Sequence, residues 1–286
     1  MLNFKKMHGL GNDFVILDGR ENGLTLTPEQ VRMISDRKRG IGCDLAVLIK
    51  HSKNFQEIPF LHLINSDGSE IEACGNATRC VADVMMREEQ MDHIVLETLN
   101  GSLNCWREGE DLVRVEMGTP KLGWRDIPLS EECDTNKLPF EDDAAAVNIG
   151  NPHCVFFVDT KDASVGQARL GPINDWSDEE ITKVGKVFEK HPLFPNRTNV
   201  EFIEILSRDH IRMRIWERGC GITEACGSGA CAVAVAAIRR GLTERKVTVT
   251  LDGGDLIINW PSDEAQVSMT GPVAYVFEGQ TSLLDD

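Results

Sequence analysis

An α+β fold in two similar domains is what this sequence predicts, on three observations. Its 286 residues suit two domains better than one. Two stretches that open Ala-Cys-Gly, ACGNATRCVA (73–82) and ACGSGACAVA (225–234), lie 152 residues apart and run into small, helix-compatible residues. Strand-like apolar runs outnumber helical ones without alternating regularly with them, which favours a mixed α+β architecture over a doubly wound sheet.

In the first half the strand-like runs are Phe14–Leu17, Ala46–Ile49 and Phe60–Ile64. Thr27 and Gln30 read as a capping box that opens one helix, and a second helix is expected over about 75–89, from the cysteine motif. The second half repeats this order. GNPHCVFF (150–157) is a loose echo of GNDFVIL (11–17), and Ser177 and Glu180 form the second capping box. Strands are expected at Val155–Val158, Glu201–Leu206 and Ile211–Trp216, and a helix over about 227–240. Downstream, VTVTLDGGDLIINW (247–260) parallels VLETLNGSLNCW (95–106), and QVSMTGP ending at Pro272 answers VRVEMGTP ending at Pro120. The stretch 123–145 is acidic, carries Pro128 and Pro139, and reads as an irregular connection. Domains are therefore expected at 1–118 and 119–270, with 271–286 a C-terminal tail packing back on the first.

Composition excludes several function classes. With 30 Lys+Arg against 46 Asp+Glu, the charge of −16 repels a phosphate backbone, so nucleic acid is not an expected partner. No apolar run reaches the ~18–20 residues that span a bilayer, and the opening MLNFKKMHGLGNDF has no signal-peptide apolar region. The expected setting is the cytoplasm, with no membrane partner. Nine cysteines, an odd number in a chain too large to need disulfide staples, point to free thiols.

Each Ala-Cys-Gly motif places its thiol at a helix N-terminus, where unpaired N–H groups and the positive dipole end lower a cysteine pKa and receive a carboxylate. Gly75 and Gly227 let a ligand approach the backbone closely. Two such thiols on opposite sides of one molecule suit stereoinversion: a thiolate removes a proton from a carbon beside a carboxylate, and a thiol returns one to the other face. Cys43, Cys80, Cys105, Cys133, Cys154 and Cys231 read as small core residues or surface thiols, and Cys220 as a turn neighbour. No Cys-x2-Cys pair is present, so no metal site is expected.

The residues now resemble a known family. KMHGLGNDFVILD (6–18), RGIGCD (39–44), NSDGSEIEACGN (65–76), NIGNPHCVFFV (148–158), RTNVEF (197–202) and RIWERGCGITEACGSGAC (214–231) are similar to diaminopimelate epimerases, over nearly the whole chain. That resemblance implies two pseudo-symmetric α+β domains, each a mixed sheet wrapped around a central helix, with the active site in the cleft between them. It implies epimerisation of LL- to meso-2,6-diaminopimelate, for lysine and peptidoglycan precursors, without pyridoxal phosphate or another cofactor. Cys74 and Cys226 carry over as the acid/base pair, with His153 and Glu217 setting their protonation. Asn12, Asn65, Asn151, Asn199, Glu217 and Arg218 carry over as substrate-binding residues, and Gly75, Asn76, Gly227 and Ser228 as donors of backbone N–H groups. The implied partner is a small amino acid; a homodimer is compatible with the reading.

Arg218 and four asparagines suit a zwitterion with two carboxylates and two ammonium groups. Two close thiols of this kind are also expected to oxidise reversibly without reductant. Three positions depart from the family pattern. Leu45 stands where Gln is usual, Ala77 where Gly is commoner, and Ile222 where Glu is common. Leu45 raises an alternative, a same-fold racemase or epimerase of another amino acid. A non-enzymatic thiol-rich metal-binding or redox protein is the reading from a different class.

Overall fold

Strand β1 (Leu2–Gly9) turns back into β2 (Asn12–Asp18) through two residues, Leu10 and Gly11. Both have positive φ, 56° and 85°, the geometry that lets a two-residue hairpin follow the sheet twist. The turn delivers Asn12 to the first position of β2. The computed structural model describes residues 1–53, 58–158 and 172–284, together with a backbone pairing of 164–165 with 168–169. Residues 285–286 of the expected tail lie outside them.

The chain divides into two units, Met1–Glu116 with Thr270–Asp286, and Met117–Met269. In the first, α1 (Pro28–Ser35) is opened by the Thr27/Gln30 capping box. Strands β3 (Leu45–His51), β4 (Pro59–Asn65) and β5 (Glu70–Ile71) lead to the central helix α2 (Gly75–Glu88). A hairpin, β6 (His93–Thr98) and β7 (Gly101–Arg107), precedes β8 (Leu112–Glu116). Helix α2 is buried on nearly all sides and packs on β1, β2, β6, β7 and β8. Its interior polar residue Asp83 is fully buried but accepts a hydrogen bond from Arg87 Nε at 2.7 Å, which offsets the cost of desolvation.

The second unit repeats the frame with β9 (Ala144–Asn148), β10 (Pro152–Phe157), the minor pair β11 (Ser164–Val165) and β12 (Ala168–Arg169), and a 3-10 turn (Ile173–Asp175). Helix α3 (Asp178–Glu189) opens with the Ser177/Glu180 capping box. Strands β13 (Asn199–Ser207), β14 (His210–Glu217) and β15 (Gly221–Ile222) lead to the central helix α4 (Gly227–Arg239), followed by β16 (Lys246–Leu251) and β17 (Gly254–Asn259). Because α4 is built mostly of small and apolar residues, with Arg239 at its end the only charged one, it tolerates burial nearly all round, with β9, β10, β13, β14, β16 and β17 against it. Strand β18 (Ser268–Pro272) then leads to β19 (Ala274–Thr281), which pairs antiparallel with β1.

Register makes the repeat quantitative. Strands β2 and β3 run parallel with Phe14 beside Leu45, and β10 and β13 run parallel with His153 beside Asn199. The antiparallel pairs β3–β4 and β13–β14 follow in both units. His153 and Asn199 thus occupy the places of Phe14 and Leu45, and Glu201 the place of Val47.

The irregular stretch 123–145 is not a bare connection: Ile127, Leu129 and Leu138 are buried in the second unit's core with Phe156, Trp176, Phe188 and Phe202. It lacks a period because its backbone is turns, not because it lacks core residues. Among the described residues no helix is long and apolar enough to cross a membrane.

Candidate active site

Cys74 is the N-cap of α2, with φ −145° and ψ 108°. Its thiol makes no capping bond to the helix, whose first turn, with the N–H groups of Gly75 and Asn76, is the positive end of the helix dipole. The thiol donates to Asn12 Oδ1 at 3.7 Å, and Asn76 Nδ2 donates to the same oxygen at 3.3 Å. Asn12 is oriented from behind, because its Nδ2 donates to Asp44 Oδ2 at 3.0 Å.

Asp44 in turn belongs to an ion cluster that the sequence did not reveal. Arg37 donates to Asp13 Oδ1 and Oδ2 at 2.8 and 2.9 Å and to Asp44 Oδ1 at 2.7 Å, while Lys6 reaches Asp13 and the Gly42 carbonyl. Burial pushes the Asp13 carboxyl up, but the hydrogen bonds and charges of Arg37 and Lys6 outweigh it and hold the group well below the usual carboxylate range. Asn65 ends β4 with its Nδ2 on Ser69 Oγ at 3.0 Å, across the turn made by Asp67 and Gly68. Leu45, one of the three departures, is buried beside Phe14 and opposite Asn65.

Cys226 caps α4 with nearly the same backbone, φ −133° and ψ 112°. Its surroundings differ. The thiol is buried, lies 3.5 Å from Ser228 Oγ and is hydrogen-bonded to the Glu217 carboxylate, which also accepts from Thr223 Oγ1. Here the expectation of a lowered thiol pKa is overturned for Cys226. Burial, and next the Glu217 charge, push it well above its ordinary value, outweighing the helix end. Desolvation also raises the Glu217 carboxyl, against its hydrogen bonds from Thr223 and Cys226. This thiol is built to hold its proton.

Behind it His153 is fully buried, with Nδ1 2.6 Å from Glu201 Oε1 and Nε2 2.8 Å from Asn151 Oδ1. Glu201 escaped the sequence reading, although an acid between Val200 and Phe202 in the largely apolar run of β13 was a signal for it. Gly229 makes room for it: a Cβ there would come within 3.0–3.1 Å of Met213 Cε, Glu201 Oε1 and Ile215 Cδ1. Asn199 is buried, its Nδ2 on the Pro152 carbonyl at 3.0 Å and its Oδ1 on the Arg218 N–H at 2.9 Å. It ties the loop carrying the exposed Arg218 to the start of β10. Gly219, φ 81°, makes the tight bend expected after that arginine.

The structure therefore gathers Cys74, Gly75, Asn76 and Asn12 in one unit, with Asn65 at the end of a neighbouring strand. It gathers Cys226, Gly227, Ser228, Glu217, His153, Asn151, Asn199 and Arg218 in the other. Cys43, Cys80, Cys105, Cys154 and Cys231 are buried core thiols, Cys133 is partly buried and Cys220 is exposed. Among the described residues no group of three His, Cys, Asp or Glu is placed to hold a metal ion.

Known proteins match this chain in both sequence and fold. The sequence model of the family described as "Diaminopimelate epimerase" matches residues 4–123 and 145–276. Proteins of that name from Rhodospirillum centenum and Gluconobacter oxydans are each 48% identical to it. The alignments cover 98% of this chain in both cases, and 92% and 99% of the relatives respectively. Among solved structures, a hydroxyproline epimerase from Agrobacterium vitis superposes with a TM-score of 0.67 at 14% identity, covering 97% of this chain and 91% of that one. A probable proline racemase from Agrobacterium radiobacter K84 gives 0.68 at 15% identity, covering 100% and 94%. At such identities these two speak for the fold alone.

Proposed function

The chain belongs to the diaminopimelate epimerase family, and from that premise we propose that it interconverts LL- and meso-2,6-diaminopimelate with Cys74 and Cys226 as its acid/base pair. The observation that carries this reading is the repeated cap: two central helices, one per unit, each begin at a cysteine with matching extended backbone geometry at the N-cap.

In one direction Cys74 takes the α-proton as a thiolate. The electron pair left on carbon delocalises into the adjacent carboxylate, whose growing charge is met by the N–H groups of Gly75, Asn76, Gly227 and Ser228. Cys226, kept protonated by its burial and by Glu217, gives its proton to the opposite face. The reverse reaction exchanges the two roles. No cofactor enters, because the N–H groups supply the stabilisation. Arg218 pairs with a substrate carboxylate, and the asparagines select the ammonium and carboxylate groups at either end. Reduced thiols in this number suit a cytoplasmic enzyme supplying lysine and peptidoglycan precursors.

Solvent exchange tests the reading. Reduced protein offered LL-diaminopimelate in deuterated water is expected to incorporate deuterium at one α-carbon as the meso isomer accumulates, read by mass spectrometry. Lysine, glutamate, proline and histidine are expected to stay unlabelled. Labelling confined to one of those four would keep the two-thiol chemistry and reject the substrate.

A further inference from the structure

The proton transfers above do not use Glu201, yet it is the most deeply buried acid beside them. Resting on the assignment of Asn151 to substrate binding, we propose that Glu201 is a positioning residue that fixes the direction of the Asn151 amide through His153.

The argument is one of hydrogen counting. Both ring nitrogens of His153 face oxygens, Glu201 Oε1 at 2.6 Å and Asn151 Oδ1 at 2.8 Å. Glu201 Oε2 is buried without a hydrogen-bond partner, so a carboxylate with no cation beside it would be strongly disfavoured. Two arrangements avoid that: a carboxylate with an imidazolium, or a carboxylic acid with a neutral ring. In both, one proton lies between Oε1 and Nδ1, the pair is neutral as a whole, and Nε2 carries a hydrogen. A neutral ring protonated on Nδ1 leaves either a bare buried charge or, with the acid proton on Oε2, a buried hydroxyl without an acceptor, and in both cases sets the Nε2 lone pair against Asn151 Oδ1. Glu201 therefore makes Nε2 a donor. Asn151 Oδ1 is occupied, and its Nδ2 is left to donate to an anionic group of the substrate.

The first unit supports this by contrast. Asn12, the counterpart of Asn151, is held through its Nδ2 by Asp44, so its Oδ1 is the end turned toward the cysteine cap, where it accepts from Cys74 Sγ and Asn76 Nδ2. Phe14 and Val47 stand at the register positions of His153 and Glu201. The buried acid and imidazole are thus confined to the unit whose asparagine is turned the other way, and a zwitterion needs both an acceptor and a donor. The first turn of α4 packs close to the carboxylate at Gly229, where a Cβ would come within 3.1 Å of Glu201 Oε1.

The test has an arm that does not depend on activity. Nitrogen-15 NMR of histidine-labelled protein, assigned with His153→Gln, is expected to show a hydrogen on His153 Nε2 at about neutral pH. An unprotonated Nε2 overturns the proposal. In kinetics with diaminopimelate, Glu201→Leu is expected to raise KM about tenfold with kcat changed less than about threefold. Glu201→Gln, whose amide can donate to Nδ1 and keep the hydrogen on Nε2, should stay within about threefold of wild type. Glu201→Leu added to Asn151→Ala should cost less than about twofold more, since its effect passes through that residue. A folded Glu201→Leu with wild-type KM, a Gln variant as impaired as the Leu variant, or independent losses in the double variant would each contradict it. Wild-type protein inactive on diaminopimelate would instead reject the functional reading, leaving the NMR result to decide the hydrogen-bond chain.

Discussion

The two central helices begin alike and are surrounded unlike. In the unit of Cys74 four paired strand positions hold Phe14, Leu45, Val47 and Asn65; at the same register in the unit of Cys226 stand His153, Asn199, Glu201 and Glu217. On one repeated backbone, His153 and Glu201 stand in place of Phe14 and Val47, and Asn199 and Glu217 in place of Leu45 and Asn65, so an acid and imidazole cluster takes the place of a largely apolar set. The lesson is that a duplicated fold supplies two geometrically matched thiols, and a few buried polar residues then make them chemically different. A two-base inversion needs that difference, because a matched pair of thiols or of thiolates has no acid or no base to begin with.

The comparison breaks most completely if either thiol is dispensable. Cys74→Ala and Cys226→Ala are each expected to lower epimerisation by at least about a thousandfold, in steady-state assays, while Cys80→Ala and Cys231→Ala cost mainly packing. Next is the carboxylate that separates the two sites. Glu217→Gln removes the main charge opposing ionisation of Cys226, so the pH at which that thiol ionises should fall and kcat should drop about tenfold to a hundredfold, read from pH–rate profiles. On the other side, Asp44→Ala frees the Asn12 amide to turn, and about a tenfold loss in kcat/KM is expected, partly recovered by Asp44→Asn.

Stability should also divide the units. The Asp13 carboxyl is depressed in the fold, so its contribution is full above the unfolded value of about 4 and is lost as pH falls through its folded value. Glu201 and Glu217 are shifted upward by burial, so what they contribute is present below about pH 4.3 and lost as pH rises through their folded values. Acidification below about pH 4 should therefore weaken amide protection around β2 before α4, measured as protection factors by hydrogen exchange. At the alkaline end both units weaken together. Burial pushes Cys80 and Cys105 up to about 12, and raises Cys154 and Cys226 as well. Stability should fall once pH exceeds the ~8.5 of an unfolded cysteine. The smallest effect is expected at Gly229→Ala, where tight contacts with Glu201 and Ile215 outweigh the helix-forming gain of alanine by about 1 kcal/mol, seen as a lower Tm.

Much of the frame was legible because its signals are local. Both capping boxes lie within four residues, and both Ala-Cys-Gly motifs announce a helix start directly. The candidate substrate-binding residues rest on whole motifs, not on any property of a single asparagine. What stayed hidden depends on distant partners. Arg37 meets Asp13 from 24 residues away and Lys6 meets the Gly42 carbonyl from 36, so no window of sequence contains the cluster that orients Asn12. The Cys226 pKa went the wrong way for the same reason. The helix end is visible in the sequence, but the burial and the Glu217 charge that overcome it appear only when β14 folds beside α4.

The difference between the two thiols is most directly tested by thiolate absorbance at ~240 nm, comparing wild-type protein with Cys226→Ala from about pH 6 to about pH 10. A Cys226 that holds its proton predicts superimposable titrations up to at least about pH 9. Absorbance lost from the variant near neutral pH would show that Cys226 already rests as a thiolate, and would contradict the account.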